Sequence, residues 1–353
     1  MTTTKAVVVY PEAEQVAVMD VAIPELRDEW ILVKVLAVAL NPTDWKHIDY
    51  EQADVGCRIG CDYAGVVEKV GSKVNRFKKG DRIAGFAHGG NRLNRESGAF
   101  GEYAHVKQCV QMIIPDNLSF EQAATLGVGT VTCRQGLYKS LGLPLPTEPA
   151  QTPFPVLIYG GSTATGVLGI QFVKASGLTA IATASPANFK YLKSIGADAV
   201  FDYRSPSCGA DIRAFTQNTL KFAWDCAGGG EEICAAALSD SEPSAYGAIN
   251  IGNIDGEVLK KSNPLVDGPL ITIAYDAIGE GWVWRGQVAP PKVDEMDFAN
   301  KFMEIARKLI ENETIKPIKT TLNQGGAGLD GVIKELDELR AGRVSCTKLV
   351  YTL

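Results

Sequence analysis

In residues 156–166, VLIYGGSTATG, an apolar run stops at Gly160 and Gly161, continues through Ser162, Thr163, Ala164 and Thr165, and ends at Gly166. A strand turning through glycines into a helix offers unpaired backbone N–H groups and the positive end of a helix dipole to an anion, and three hydroxyls add donors to the same place. A pyrophosphate suits such a loop. A plain strand-to-helix turn would use the same glycines, and the spacing departs from the strict G-x-G-x-x-G form. A dinucleotide fold that prefers a cofactor without a 2′-phosphate places Asp or Glu about 20 residues past the glycines. From 156 to 197 there is no acidic residue; Ser185, Asn188 and Lys190 stand there instead, with Tyr203 and Arg204 after the next strand. A phosphate would be repelled by a carboxylate at that place and held by those donors. The pattern predicts NADPH.

Such a loop needs a parallel sheet behind it. Beyond Pro155 the chain alternates strand and helix: VLIY, a helix over 164–176, TAIATA, a helix over 188–195, AVFDY, a helix after 211, FAWDCA, a helix from 231, then AYGAINIG and LITIAY. That alternation predicts a Rossmann-type, doubly wound α/β domain. The first 115 residues read differently, as short strands punctuated by glycines (AVVVY, ILVKVLAVAL, YAGVVEKVG, DRIAGF, EYAHV), and predict a β-barrel-like module. Ser119 and Gln122 form a capping-box pattern opening helical sequence. Five prolines over 144–155 exclude helix and central strand, and the junction is placed there. Helices over 297–311 and 329–340 and a last strand, TKLVYTL, suggest that the tail returns to the first module. The expected domains are 1–150 with 285–353, and 151–284.

At 353 residues, 46% hydrophobic and 22% charged, the chain can bury two cores. Its net charge of −6 argues against general nucleic-acid binding, which needs a basic surface. No apolar run reaches the roughly 18 residues of a membrane helix, and the N-terminus lacks a signal peptide's apolar centre, so a soluble, cytoplasmic protein without membrane association is expected. The eight cysteines, without close paired spacing, read as reduced thiols.

Three further segments complete a pattern: ALNPTDWK, GCDYAGVVEKVGSKVNRFKKGDRIAG and SGAFGEYAHV, in that order. With the glycine loop they resemble the medium-chain dehydrogenase/reductase superfamily over nearly the whole chain, in its zinc-free quinone-reductase and enoyl-reductase branch. YGGSTATG, LGLPLP and FDYRSP are similar to the fungal trans-acting enoyl reductases, which serve polyketide synthases lacking a working reductase domain. The resemblance implies a GroES-like catalytic domain beside the Rossmann domain, a carrier-bound acyl thioester as substrate, and the acyl carrier protein of a polyketide synthase as partner. It places Thr43, Asp44, Trp45, Lys46, Val344 and Ser345 around the nicotinamide ribose, and Ile251 and Gly252 along the nicotinamide. On the substrate side it suggests Gly129, Thr130, Val131, Thr132, Ala277, Ile278, Gly279 and Glu280.

The superfamily's zinc enzymes use Cys, His and Cys as catalytic ligands, and Asn41, Cys61 and Val128 stand at those places here. One thiol cannot make the three-ligand site that catalytic zinc requires, so no metal is expected. What remains is to hold substrate and hydride donor together, stabilise an enolate oxygen and supply a proton to the α-carbon. Lys46 and Tyr50, just past the N-P-x-D segment, are the candidate donors. Reduction of free enones or quinones would share every motif, and an NADPH-bound structural or RNA-binding protein is an alternative of another class. A run of six cations, Lys69, Lys73, Arg76, Lys78, Lys79 and Arg82, holds one acid, Asp81, and is a candidate docking surface for an acidic carrier protein.

Overall fold

The computed structural model describes residues 3–10, 15–50, 53–249, 254–284 and 286–353. Two compact units emerge: Met1–Val131 with Ala274–Glu311 and Pro317–Leu353, and Thr132–Ile273 with Asn312–Lys316.

The second unit carries six parallel strands in the spatial order Ala199–Asp202, Thr179–Ala184, Pro155–Tyr159, Phe222–Asp225, Ser244–Ala248, Val266–Ile271. Counted along the chain this is 3-2-1-4-5-6, the dinucleotide-binding order whose reversal point lies between the first and fourth strands. The core strands bury nearly every side chain (Val156–Ile158 and Ala180–Ala182 are at 0% exposure), as a sheet covered on both faces requires. Tyr246, Leu157, Ile181, Ile212 and Leu238 form one core cluster there.

In the first unit a seven-stranded sheet runs Thr320–Leu322, Lys348–Thr352, Trp30–Ala39, Asp62–Val70, Arg82–Phe86, Gln111–Ile113, with Tyr103–Lys107 also paired to Trp30–Ala39. The tail does return, since Val350 faces Ala39 in an antiparallel pair. Its core gathers Ile31, Val33, Tyr63, Phe100, Val332 and Tyr351.

Some local readings shift. Residues 144–154 have neither helix nor strand, as the prolines demand, yet the unit boundary lies at 131/132 and not at 150/151. Residues 132–150 pack with the parallel sheet: a Cβ on Gly136 would meet the Trp224 indole at 2.3 Å, and Gln135 Nε2 donates to the Ile273 carbonyl at 3.2 Å. The other boundary moves from 284/285 to 273/274. There Asp276 accepts from Trp282 Nε1 at 3.1 Å and from Lys292 at 2.6 Å, which ties the Ala274–Ile278 turn to the Trp282–Trp284 and Gln287–Ala289 hairpin of the first unit. The N-P-T-D segment opens a helix, Pro42–Asp49. Proline at its first position loses no intrahelical bond.

Candidate active site

The glycine loop follows the Pro155–Tyr159 strand at the sheet's reversal point. Gly160 takes φ +75°, and its N–H donates to Thr183 Oγ1 at 3.0 Å. A Cβ on Gly161 would lie 2.9 Å from Ala182 and one on Gly166 2.3 Å from the Gly160 carbonyl, so glycine is what lets strand, turn and helix pack this closely. Thr163 caps the Ala164–Ala175 helix by accepting from Gly166 N at 2.9 Å. One of the three hydroxyls is thus spent on the cap; Ser162 and Thr165 stay partly exposed beside it. These residues fit a pyrophosphate: a twelve-residue helix, its first-turn amides, and hydroxyl donors at one strand end.

At the end of the second strand the chain turns through Ser185, whose carbonyl accepts from Asn188 N at 2.9 Å, into exposed Lys190. Tyr203 is 38% exposed after the third strand, edge-on to Tyr159 at 6.4 Å, with the Arg204 guanidinium over its ring at 4.9 Å. The same strand ends in Asp202, which is engaged by Arg204 N at 3.0 Å. Ile251 and Gly252 lie outside the described residues.

In the first unit, Asp44 is fully buried and turned back to cap its own helix, accepting from Asn41 N at 2.7 Å. Burial pushes its carboxyl up to about 7 against that bond. Trp45 packs on the core with the Arg340 guanidinium 5.9 Å above it, and Arg340 clamps Asp49 through bonds of 2.7 and 2.8 Å. Lys46 is half-buried, with its ammonium 5.7 Å from the Trp45 ring, and burial lowers its pKa. Tyr50 is 57% exposed with its ring edge-on to Trp45. Val344 packs on the core, Ser345 is exposed, and Cys346 next to them holds φ +56°.

Two clusters here escaped the sequence reading. In the first, buried Asp62 accepts from Asn41 Nδ2 at 2.9 Å, from Val128 N at 2.6 Å and from the Lys348 ammonium, which also donates to the Thr125 carbonyl at 3.2 Å. Two of the three places compared with zinc ligands, Asn41 and Val128, are therefore joined through one carboxylate that already holds a cation. A lysine heading the otherwise apolar strand KLVYT was the available signal. In the second, Tyr275 Oη lies 2.5 Å from Thr43 Oγ1 and 3.0 Å from His47 Nε2. The Tyr275 ring stacks on His88 at 3.9 Å and 13°, with Phe86 and Trp282 at 5.7 Å. Burial pulls His47 down to about 4 and His88 well below its ordinary value, so both imidazoles are neutral at pH 7.

The alcohol dehydrogenase GroES-like domain family matches residues 27–116. A trans-enoyl reductase of Alternaria alternata is 43% identical over 357 aligned positions that span all of both chains. The chain belongs to the trans-enoyl reductase family. A second member, from Cochliobolus carbonum, is 45% identical across 86% of this chain and 99% of its own. Among solved structures, the quinone oxidoreductase of Coxiella burnetii covers all of both chains at 22% identity and a TM-score of 0.74, and the CurK enoyl reductase covers 99% and 98% at 19% and 0.74. Those likenesses establish the medium-chain dehydrogenase/reductase fold.

In this trans-enoyl reductase family member the residues suggested for the substrate side are largely enclosed. Gly129, Thr130, Val131, Thr132, Ala277, Ile278 and Gly279 are buried, the Thr130 hydroxyl without a hydrogen-bond partner, while Glu280 pairs with Lys107 at 3.0 Å and Arg27 at 3.7 Å. The basic run is also mostly committed. Lys73 pairs with Asp28, Lys78 with Asp81 and Lys79 with Glu68, while Arg76 donates to Asn300 and Arg82 to the Leu118 carbonyl. Its local positive charge is smaller than the sequence suggests, because Asp28 and Glu68 fold beside it. All eight cysteines are unpaired and seven are buried. No helix among the described residues is long and apolar enough to cross a membrane.

Proposed function

We propose that this chain is an NADPH-dependent, zinc-independent, trans-acting enoyl reductase that reduces the α,β-unsaturated thioester of a polyketide intermediate held on a synthase's acyl carrier protein. The observation that carries the reading is the end-to-end match to relatives named trans-enoyl reductases, joined to a dinucleotide sheet whose second strand, Thr179–Ala184, is followed by Ser185 and Lys190 without an acid. When bound, NADPH supplies the hydride for the β-carbon. The chain's own part is to hold the pyrophosphate at Gly160–Thr165, to receive the 2′-phosphate with Ser185, Asn188, Lys190 and Tyr203, and to position the nicotinamide ribose near Thr43. Lys46 holds a proton for the α-carbon or donates to the enolate oxygen; its burial, by lowering its pKa, makes that proton easier to give. The Lys348 ammonium on Asp62 already neutralises the one carboxylate that joins Asn41 and Val128.

Two measurements test this. Losing charged hydrogen bonds to the 2′-phosphate, each worth about 1.5–3 kcal/mol, should make NADH bind roughly 10²-fold more weakly than NADPH in a titration; equal affinities refute the cofactor assignment. NADPH oxidation is then compared with a crotonyl group on a carrier protein, a free crotonyl thioester and a simple quinone. Faster turnover of the carrier-bound substrate supports the reading. Equal rates favour reduction of free enones, the alternative that the internally paired basic run supports. Tight NADPH binding without turnover favours a non-catalytic protein.

A further inference from the structure

The helix Pro42–Asp49 carries Lys46, yet little within that helix fixes where the Lys46 ammonium lies. Among the described residues no carboxylate or carbonyl holds it; it stands over the Trp45 ring, 5.7 Å from the ring's centre. The indole N–H is buried without an acceptor, so no hydrogen bond fixes the ring either. What holds the ring is packing on the core of the first unit, Tyr50 edge-on at 5.9 Å, and the Arg340 guanidinium 5.9 Å from its centre. Arg340 ends a second helix, Gly328–Arg340, and reaches across to Asp49 with two bonds, from Nε at 2.7 Å and from Nη2 at 2.8 Å. Asp49 is the last residue of its own helix, where the dipole opposes a carboxylate, and the two-pronged guanidinium offsets that charge with a fixed geometry that an ammonium lacks. Asp337, on the arginine's own helix, binds the same group and fixes its direction. One guanidinium therefore holds both the end of the helix that bears Lys46 and the ring on which the Lys46 ammonium rests. We propose that Arg340 is a positioning residue that sets the place of the Lys46 ammonium, acting through Asp49 and Trp45. This rests on the proton-donor role proposed for Lys46.

Two readouts test this. In the unliganded chain, lysines are reductively dimethylated with carbon-13 formaldehyde, which keeps their charge, and the Lys46 signal is identified by its loss in Lys46→Ala. The Trp45 ring current should set that signal apart from those of exposed lysines, and Arg340→Met or Asp49→Asn should bring it back among them. In NADPH-driven reduction of a free crotonyl thioester, each of these two variants should lower kcat by about 10-fold, short of the roughly 10²-fold that a 1 Å misplacement can cost, and leave NADPH affinity within about 2-fold. Arg340→Lys, which keeps the charge without the two-pronged geometry, should fall between wild type and Arg340→Met. In a Lys46→Ala background Arg340→Met should cost less than about 2-fold more, because the group it places is gone, whereas general damage to the unit would multiply. An unmoved Lys46 signal in both clamp variants, or kcat losses that multiply in the pair, overturns the role of Arg340 and leaves the proposed function standing. Wild-type kcat in Lys46→Ala overturns the donor role and this inference with it. A wild-type chain that reduces no enoyl thioester overturns the proposed function itself, while the signal of the unliganded chain still decides what places Lys46.

Discussion

Replacing Lys348 by Met should expose how the first unit stabilises its centre. Lys348 is 3% exposed and Asp62 fully buried, and the ammonium is the sole cation bonded to that carboxylate among the described residues. Removing one partner of a buried pair costs about 3–5 kcal/mol, because a charge is left without compensation. Two donors survive, Asn41 Nδ2 at 2.9 Å and Val128 N at 2.6 Å, so the lower end applies, about 3 kcal/mol. For a unit of roughly 200 residues that corresponds to a melting temperature about 6–12 °C lower. Adding Asp62→Asn neutralises the stranded charge while keeping an acceptor for Val128 N. The double variant should therefore regain about 1–2 kcal/mol in a urea titration, an interaction of opposite sign to simple addition. If Lys348→Met lies within about 0.5 kcal/mol of the wild type, or if Asp62→Asn adds a further loss on top of it, the charge pairing argued here is wrong.

Asp44 has a carboxyl raised from 3.8 to about 7, so the folded state binds a proton that the unfolded state releases; on the order of 3–4 kcal/mol of stability should be lost as pH rises through that window, and Asp44→Asn should flatten the slope. An unchanged slope in urea titrations from pH 4 to 7 refutes this. Lys46→Ala should lower kcat by about 10²–10⁴-fold while changing NADPH affinity little. If kcat holds and only affinity falls, Lys46 is a cofactor contact.

Periodicity and glycine chemistry made the parallel sheet legible. VLIY, TAIATA and FAWD are apolar runs bounded by turns, and a buried strand needs no partner to declare itself. The tail strand TKLVYTL and the helix capped by Ser119 and Gln122 were readable for the same local reason, and the capping bonds form in both directions at 3.1 and 3.3 Å. The Pro42–Asp49 helix was not, because Pro-Thr-Asp reads as a turn until tertiary contacts such as Arg340 on Asp49 hold its far end. Nor were the unit boundaries: nothing local in Gly136 or Asp276 says which core it serves, and only Trp224 on one side and Lys292 on the other reveal it.

The site divides along the same line. Residue types alone pointed to an anion loop at Gly160–Thr165, to the lack of an acid where a ribose acceptor would stand, and to Asn41 and Val128 as unsuited to zinc, since each of these follows from local chemistry. That Thr163 is the loop hydroxyl spent on the helix cap, and that Lys73 pairs with Asp28, came from the folded geometry and not from residue types. Asp62 meets Lys348 across 286 positions of sequence, and Thr43 meets Tyr275 across 232. Neither pairing has a sequence signature, because a hydrogen bond is specified by the distance and direction of two atoms in space, and only the packed sheet and its returning tail set those.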